Sequence, residues 1–178
     1  MRKRSMAFVG VLAAVAIPLS ATSANAAGYE GSWAIKNENS QKCLAIPGGA
    51  DAPSGESAIQ YTCDKRGPND YDLDQWWYWE LVPGATSTYT LQNYASGECL
   101  AISGGSSSSQ GDEAIQWWCD SGDTDQQWIY DSTYRLRNKA SGFCLAIPDG
   151  QTANSVAAIQ WECRNVATNP EQQWRQAS

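Results

Sequence analysis

Six cysteines and no histidine set the chemistry open to this chain of 178 residues. Without imidazole there is no His-based catalytic triad and no imidazole metal site. The cysteines fall as Cys43 and Cys63, Cys99 and Cys119, Cys144 and Cys163, with separations of 20, 20 and 19. No C-x-x-C pair occurs, which argues against zinc. Disulfides are the better reading, and the even spacing favours pairing within each couple. The rival scheme joins each couple's second cysteine to the next couple's first. Each within-couple loop would stabilise by about 3 kcal/mol in the loop-entropy model. The acids decide little by themselves, because carboxylate pairs fit for glycoside hydrolysis arise on any acidic surface. No glycine-rich loop follows a strand and opens a helix, so nothing cradles phosphate. Neither a catalytic residue, a metal nor a cofactor is expected.

The residues around the cysteines repeat three times. Cys144-Leu145-Ala146-Ile147 is followed by Ala158-Ile159-Gln160-Trp161-Glu162-Cys163 and Glu171-Gln172-Gln173-Trp174. Cys99-Leu100-Ala101-Ile102 leads to Ala114-Ile115-Gln116-Trp117-Trp118-Cys119 and Asp125-Gln126-Gln127-Trp128. Cys43-Leu44-Ala45-Ile46 leads to Ala58-Ile59-Gln60-Tyr61-Thr62-Cys63 and Asp74-Gln75-Trp76-Trp77. Asn37, Asn93 and Asn138 stand at one fixed distance before the first cysteine of each copy. Such a repeat decides the architecture.

The chain opens Met1-Arg2-Lys3-Arg4, continues apolar from Ala7 to Leu19, and reaches Ala24-Asn25-Ala26. That pattern is a secretory signal peptide over 1–26. Its apolar run is too short for a membrane-spanning helix. One domain of ordinary size remains over 27–178, with repeats at about 29–83, 84–131 and 132–178. The leader takes three of the 12 basic and none of the 19 acidic residues, leaving a net charge of −10. Such a protein repels phosphate backbones and anionic lipid, so neither nucleic acid nor membrane is an expected partner. A secreted, extracellular monomer is expected, and export favours disulfides.

Helical periodicity is scarce. Short apolar stretches broken by Gly, Ser, Asn, Asp and Pro read as an all-β domain. Four strands are expected per repeat: Trp33–Asn37, Lys42–Ile46, Ala58–Cys63 and Trp76–Val82; Tyr89–Asn93, Glu98–Ile102, Ala114–Cys119 and Gln127–Tyr130; Tyr134–Asn138, Phe143–Ile147, Ala158–Cys163 and Gln173–Gln176. Alternation puts Leu44 with Ile46, Leu100 with Ile102, and Leu145 with Ile147 on the core side. Ala45, Ala101 and Ala146 then face the other way. Trp77, Trp128 and Trp174 are expected to fill the core.

Three Gln-x-Trp endings, each behind a Cys-Leu pair and an Ile-Gln-aromatic-x-Cys segment, resemble the ricin B-type lectin family. The resemblance covers about Tyr29 to Trp174. It implies a β-trefoil of twelve strands in three pseudo-symmetric lobes, within-repeat disulfides, and a non-catalytic module that binds carbohydrate through up to three weak sites. In the family an aromatic near Tyr61, Trp117 and Trp161 forms a platform for the apolar face of a sugar, and Trp118 is a further candidate. Alternation puts Tyr61 on the side of Ile59, which reads as lobe core. The family's slightly longer spacing to the cysteine would admit a bulge that turns the ring outward. The family's aspartate after Cys-Leu is absent here. Ala45, Ala101 and Ala146 occupy its place and accept no hydroxyl bond. Asp74, Asp125 and Glu171, with Gln75, Gln126 and Gln172 beside them, are the candidate replacements; the acids read first as caps of the turn before the last strand, and their recurrence in all three repeats keeps the acceptor role open. Any pocket is expected between the Cys-Leu-Ala-Ile strand and the segment running from aromatic to acid. Repeat two is favoured for its paired tryptophans and short return. Two rivals stand beside the lectin. One is a trefoil that binds protein, such as a protease inhibitor, through the insertion Asp64–Asp72. The other is a hydrolase with an unrecognised carboxylate pair.

Overall fold

The computed structural model describes residues 29–67 and 70–178. The leader read over 1–26 lies outside them. Repeat one contains β1 (Tyr29–Asn37), β2 (Cys43–Ala45), β3 (Ile59–Tyr61), β4 (Lys65–Gly67), β5 (Asp70–Tyr71) and β6 (Trp76–Leu81). Repeat two contains β7 (Thr88–Asn93), β8 (Cys99–Ile102), β9 (Ala114–Trp117) and β10 (Trp128–Tyr130). Repeat three contains β11 (Leu136–Asn138), β12 (Cys144–Ala146), β13 (Val156–Ala157), β14 (Ile159–Trp161) and β15 (Trp174–Ala177). All pairings among them are antiparallel. The insertion after Cys63 is a small hairpin of its own, β4 against β5.

The order β15-β1-β6-β7-β10-β11 makes the barrel wall. Trp174 closes it by donating its main-chain N–H to Tyr134 O at 2.8 Å. Hairpins β2–β3, β8–β9 and β12–β14 cap one end. They meet at the threefold axis through a ring of main-chain bonds. Ala58 donates to Ala114 O (2.8 Å), Ala114 to Ala158 O (2.9 Å), and Ala158 to Ala58 O (2.8 Å). Alanine recurs at this point because three strands converge there and a larger side chain would hold them apart. The architecture is a β-trefoil.

One core runs through barrel and cap. Leu44, Ile46, Leu100, Ile102, Leu145 and Ile147 are buried in it with Trp77, Trp128 and Trp174. Each motif indole donates Nε1–H to the leucine carbonyl of its own repeat: Leu44 O (3.0 Å), Leu100 O (2.9 Å) and Leu145 O (3.0 Å). Burial of a large ring and satisfaction of its one donor thus occur together. Disulfides Cys43–Cys63, Cys99–Cys119 and Cys144–Cys163 pair within repeats.

Candidate functional site

A common frame holds the three hairpins. Buried amides must find partners, and here they find main chain. Asn37, Asn93 and Asn138 donate Nδ2–H to Glu171 O (2.8 Å), Asp74 O (2.7 Å) and Asp125 O (2.6 Å). Each therefore ties its repeat to the preceding one around the ring. Gln75, Gln126 and Gln172 use both ends of the amide. Their oxygens accept from Asp64, Asp120 and Arg164 N–H; their Nε2 groups donate to Thr62, Trp118 and Glu162 O. These glutamines are buried and set the path of the return loop.

The strand alternation holds, but its inner side is the glutamine's. Gln60, Gln116 and Gln160 are fully buried, while Ile59, Ile115 and Ile159 are only half-buried. The reason is a second set of clamps between repeats. Gln60 Nε2 donates to Gln151 O and Ala153 O, Gln116 to Ala52 O and Pro53 O, and Gln160 to Ser109 O. The rings on the isoleucine side consequently face out, with no bulge in β9 or β14. Tyr61 is 38% exposed, Trp117 45% and Trp118 69%, and Trp161 is half-buried. The Trp117 and Trp161 rings each lie along a loop of the preceding repeat. A Cβ on Gly55 would sit 3.5 Å from Trp117, and one on Gly111 3.5 Å from Trp161.

The acids diverge. Asp125 is 5% exposed, and its Oδ1 has no partner among the described residues. Burial, followed by the hydrogen bond that the protonated carboxyl donates to the neighbouring Asp123 and by that residue's negative charge, pushes its carboxyl up to about 6. Asp74 and Glu171 remain partly exposed.

A cleft of about 550 Å³ opens in repeat three, on the outer face of the β12–β14 hairpin. Ala146, Ile159 and Trp161 form its floor, and the return loop through Arg164, Asn169 and Glu171 its wall. Asp149 closes one end, and Asn39 reaches in from repeat one. The Arg164 guanidinium lies 5.9 Å from the Trp161 ring centre. A smaller hollow of about 120 Å³, by Glu80, Gln92 and the Cys99–Cys119 bridge, lies on the barrel wall instead. The wide cleft is therefore in repeat three, not the repeat favoured by its paired tryptophans. In repeat two the return from Cys119 is two residues shorter and Asp125 is folded inside. Of the sequence candidates, the cleft gathers Trp161, Glu171 and Gln172. Tyr61, Asp74 and Gln75 belong to repeat one, and Trp117, Trp118, Asp125 and Gln126 to repeat two.

Asn39, Asp149 and Arg164 were not among the sequence candidates. Their signal was departure from the threefold register. Asn39 stands where the other repeats have Ala95 and Ala140, since all three donate N–H to the lead-in asparagine. Arg164 stands where they have Asp64 and Asp120, all three donating N–H to the motif glutamine. Asp149 replaces Gly48 and Gly104.

Twelve core strands in three lobes, with an outward aromatic on each cap hairpin, define the class as a β-trefoil of lectin type. The chain belongs to the ricin-type β-trefoil lectin domain family, whose model matches residues 31–174. Among solved structures it is similar to the designed threefold-symmetric protein ThreeFoil, at 27% identity, covering 84% of this chain and 99% of that one, with a TM-score of 0.67. It is also similar to the Macrolepiota procera ricin B-like lectin in complex with lactose, at 17% identity, 84% and 96% coverage and a TM-score of 0.64. An exo-β-1,3-galactanase from Clostridium thermocellum matches at 22% identity and a TM-score of 0.66; the similarity covers 83% of this chain but 30% of that enzyme. None of the curated proteins compared with the chain matches it in sequence.

Proposed function

We propose that this protein is a secreted, non-catalytic carbohydrate-binding module whose principal site is the repeat-three cleft. The observation that carries the reading is the outward Trp161 on the floor of that cleft, with Asp149 and Glu171 at its edges. An aromatic floor takes the C–H face of a pyranose while polar groups at the rim take its hydroxyls. Family membership supports the ligand class. Tyr61 and the Trp117–Trp118 pair, more open to solvent, serve as weaker sites. One stacked ring and one or two charge-assisted bonds correspond to a single-site Kd of about millimolar to high micromolar. Several sites on one polymer raise the avidity. The excess of negative charge keeps nucleic acid and anionic lipid away, and the module acts as a monomer.

The β4–β5 hairpin is the observation that favours the protein-binding reading. A glycan array separates the two. Binding of at least one glycan by wild type, lost in Trp161→Ala, is the expected result. An array blank at all glycans removes the carbohydrate reading.

A further inference from the structure

After each Cys-Leu-Ala-Ile strand the chain passes through two consecutive residues in the left-handed region. Repeat one uses Gly48 (φ 89°) and Gly49 (φ 56°), and repeat two uses Gly104 (φ 86°) and Gly105 (φ 57°). Repeat three uses Asp149 (φ 54°) and Gly150 (φ 62°). Glycine adopts this conformation without steric cost, whereas an L side chain does not. Aspartate commonly offsets the cost with a local hydrogen bond. The Asp149 carboxylate makes no hydrogen bond or ion pair with the described residues. It is exposed, at the end of the cleft that holds Trp161.

The surroundings hold this shape in place. Asn39 donates Nδ2–H to Gly150 O at 2.8 Å, pinning the residue that follows Asp149. Ala95 and Ala140, its counterparts, have no side chain able to do so. The repeat-three turn thus departs from the other two both at its strained residue and at the residue, supplied by repeat one, that braces it. Strain retained where neighbours over-determine it marks a functional position. Beside it, the short side chain of Ala146 leaves the floor of the cleft open.

We infer that Asp149 is the specificity-determining acceptor of the cleft. Its two oxygens take neighbouring hydroxyls of a pyranose stacked on Trp161, replacing the acceptor that Ala146 cannot supply. Asn39 is a positioning residue for it. The inference rests on the carbohydrate reading of the cleft.

The test titrates lactose, N-acetylgalactosamine, galactose, glucose, mannose and xylose into wild type, Asp149→Asn, Asp149→Gly and Trp161→Ala, following protein NMR signals, with melting recorded for each variant. Asp149→Gly is expected to melt at or above the wild-type temperature, because glycine relieves the left-handed strain. It and Asp149→Asn should bind the sugars that wild type binds at least about tenfold more weakly, as loss of a charge-assisted acceptor implies. Deoxygenating one of the paired hydroxyls should weaken binding to wild type and leave binding to Asp149→Gly unchanged. If both Asp149 variants bind like wild type while Trp161→Ala does not bind, the acceptor assignment is overturned and the carbohydrate reading stands. If wild type binds no sugar of the panel, or Trp161→Ala binds unchanged, the reading of the cleft falls and the inference with it.

Discussion

In repeat two the acid before the motif glutamine, Asp125, is folded inside; in repeat three its counterpart Glu171 stays on the wall of a cleft. Repeat two carries the more exposed rings, Trp117 and Trp118, yet repeat three has the enclosed one. Both stand on the same frame of indole, glutamine and asparagine bonds to main chain. What repeats threefold holds the fold, and what breaks the repeat is free to serve a ligand. On the proposed reading of the cleft, a residue that departs from its two counterparts is a better guide to the site than an exposed aromatic.

That comparison breaks if the frame is not shared. Trp128→Ala and Trp174→Ala should each cost about 3–5 kcal/mol, as large-to-small core changes do. Chemical denaturation should return similar losses for the two, since each ring is fully buried with its N–H on a leucine carbonyl. A loss confined to one of them would show that the lobes are held differently.

Asp125 sharpens the contrast through pH. Its carboxyl is raised from 3.8 to about 6, so the folded state disfavours the charged form. Asp125's own contribution to stability should be most favourable while it is protonated in both states, and should fall as pH rises from about 4 through 6. Holding the charged carboxylate inside the fold above pH 6 should cost about 2–3 kcal/mol. Asp125→Asn should remove that cost, raising the melting temperature at pH 8 and flattening the profile between pH 4 and 6. Unchanged profiles in the two proteins would mean that Asp125 is not the buried acid described above.

The inter-repeat clamps come next. Gln116→Ala leaves the carbonyls of Ala52 and Pro53 without their side-chain donor and should cost about 1–3 kcal/mol. A cost near zero would remove the glutamine side as the inner side of the strand. Smallest of all, Trp118→Ala should shift stability by no more than about 0.5 kcal/mol, as exposed substitutions do. A larger loss would give this ring a structural role.

Much of the frame is legible in the residues themselves. Cysteine spacing, the Cys-Leu-Ala-Ile pattern and the motif tryptophans mark the lobes, the bridges and the core. Alternation alone misleads at Tyr61, Trp117 and Trp161, because it says which residues share a side and not which side is inner. Isoleucine beside them points to the core, yet the polar Gln60, Gln116 and Gln160 are the buried ones. Their burial depends on carbonyls that the neighbouring repeat supplies, far away in sequence. Asp125 reads as a candidate hydroxyl acceptor or turn cap, and its burial escapes the sequence because it is set by the fold of a short loop. The Asp64–Asp72 insertion reads as a loop, and the pairing of β4 with β5 emerges only in space. Asp149, Arg164 and Asn39 become visible once the three copies are aligned position by position and read for differences.

The most direct measurement is an NMR titration read at the indole N–H signals of the nine tryptophans, using a sugar identified by glycan array. The account predicts that Trp161 shifts first and most, and that Trp117→Ala and Trp118→Ala leave that shift intact. Saturable shifts at Trp117 or Trp118 with Trp161 unmoved would contradict it and return the principal site to repeat two.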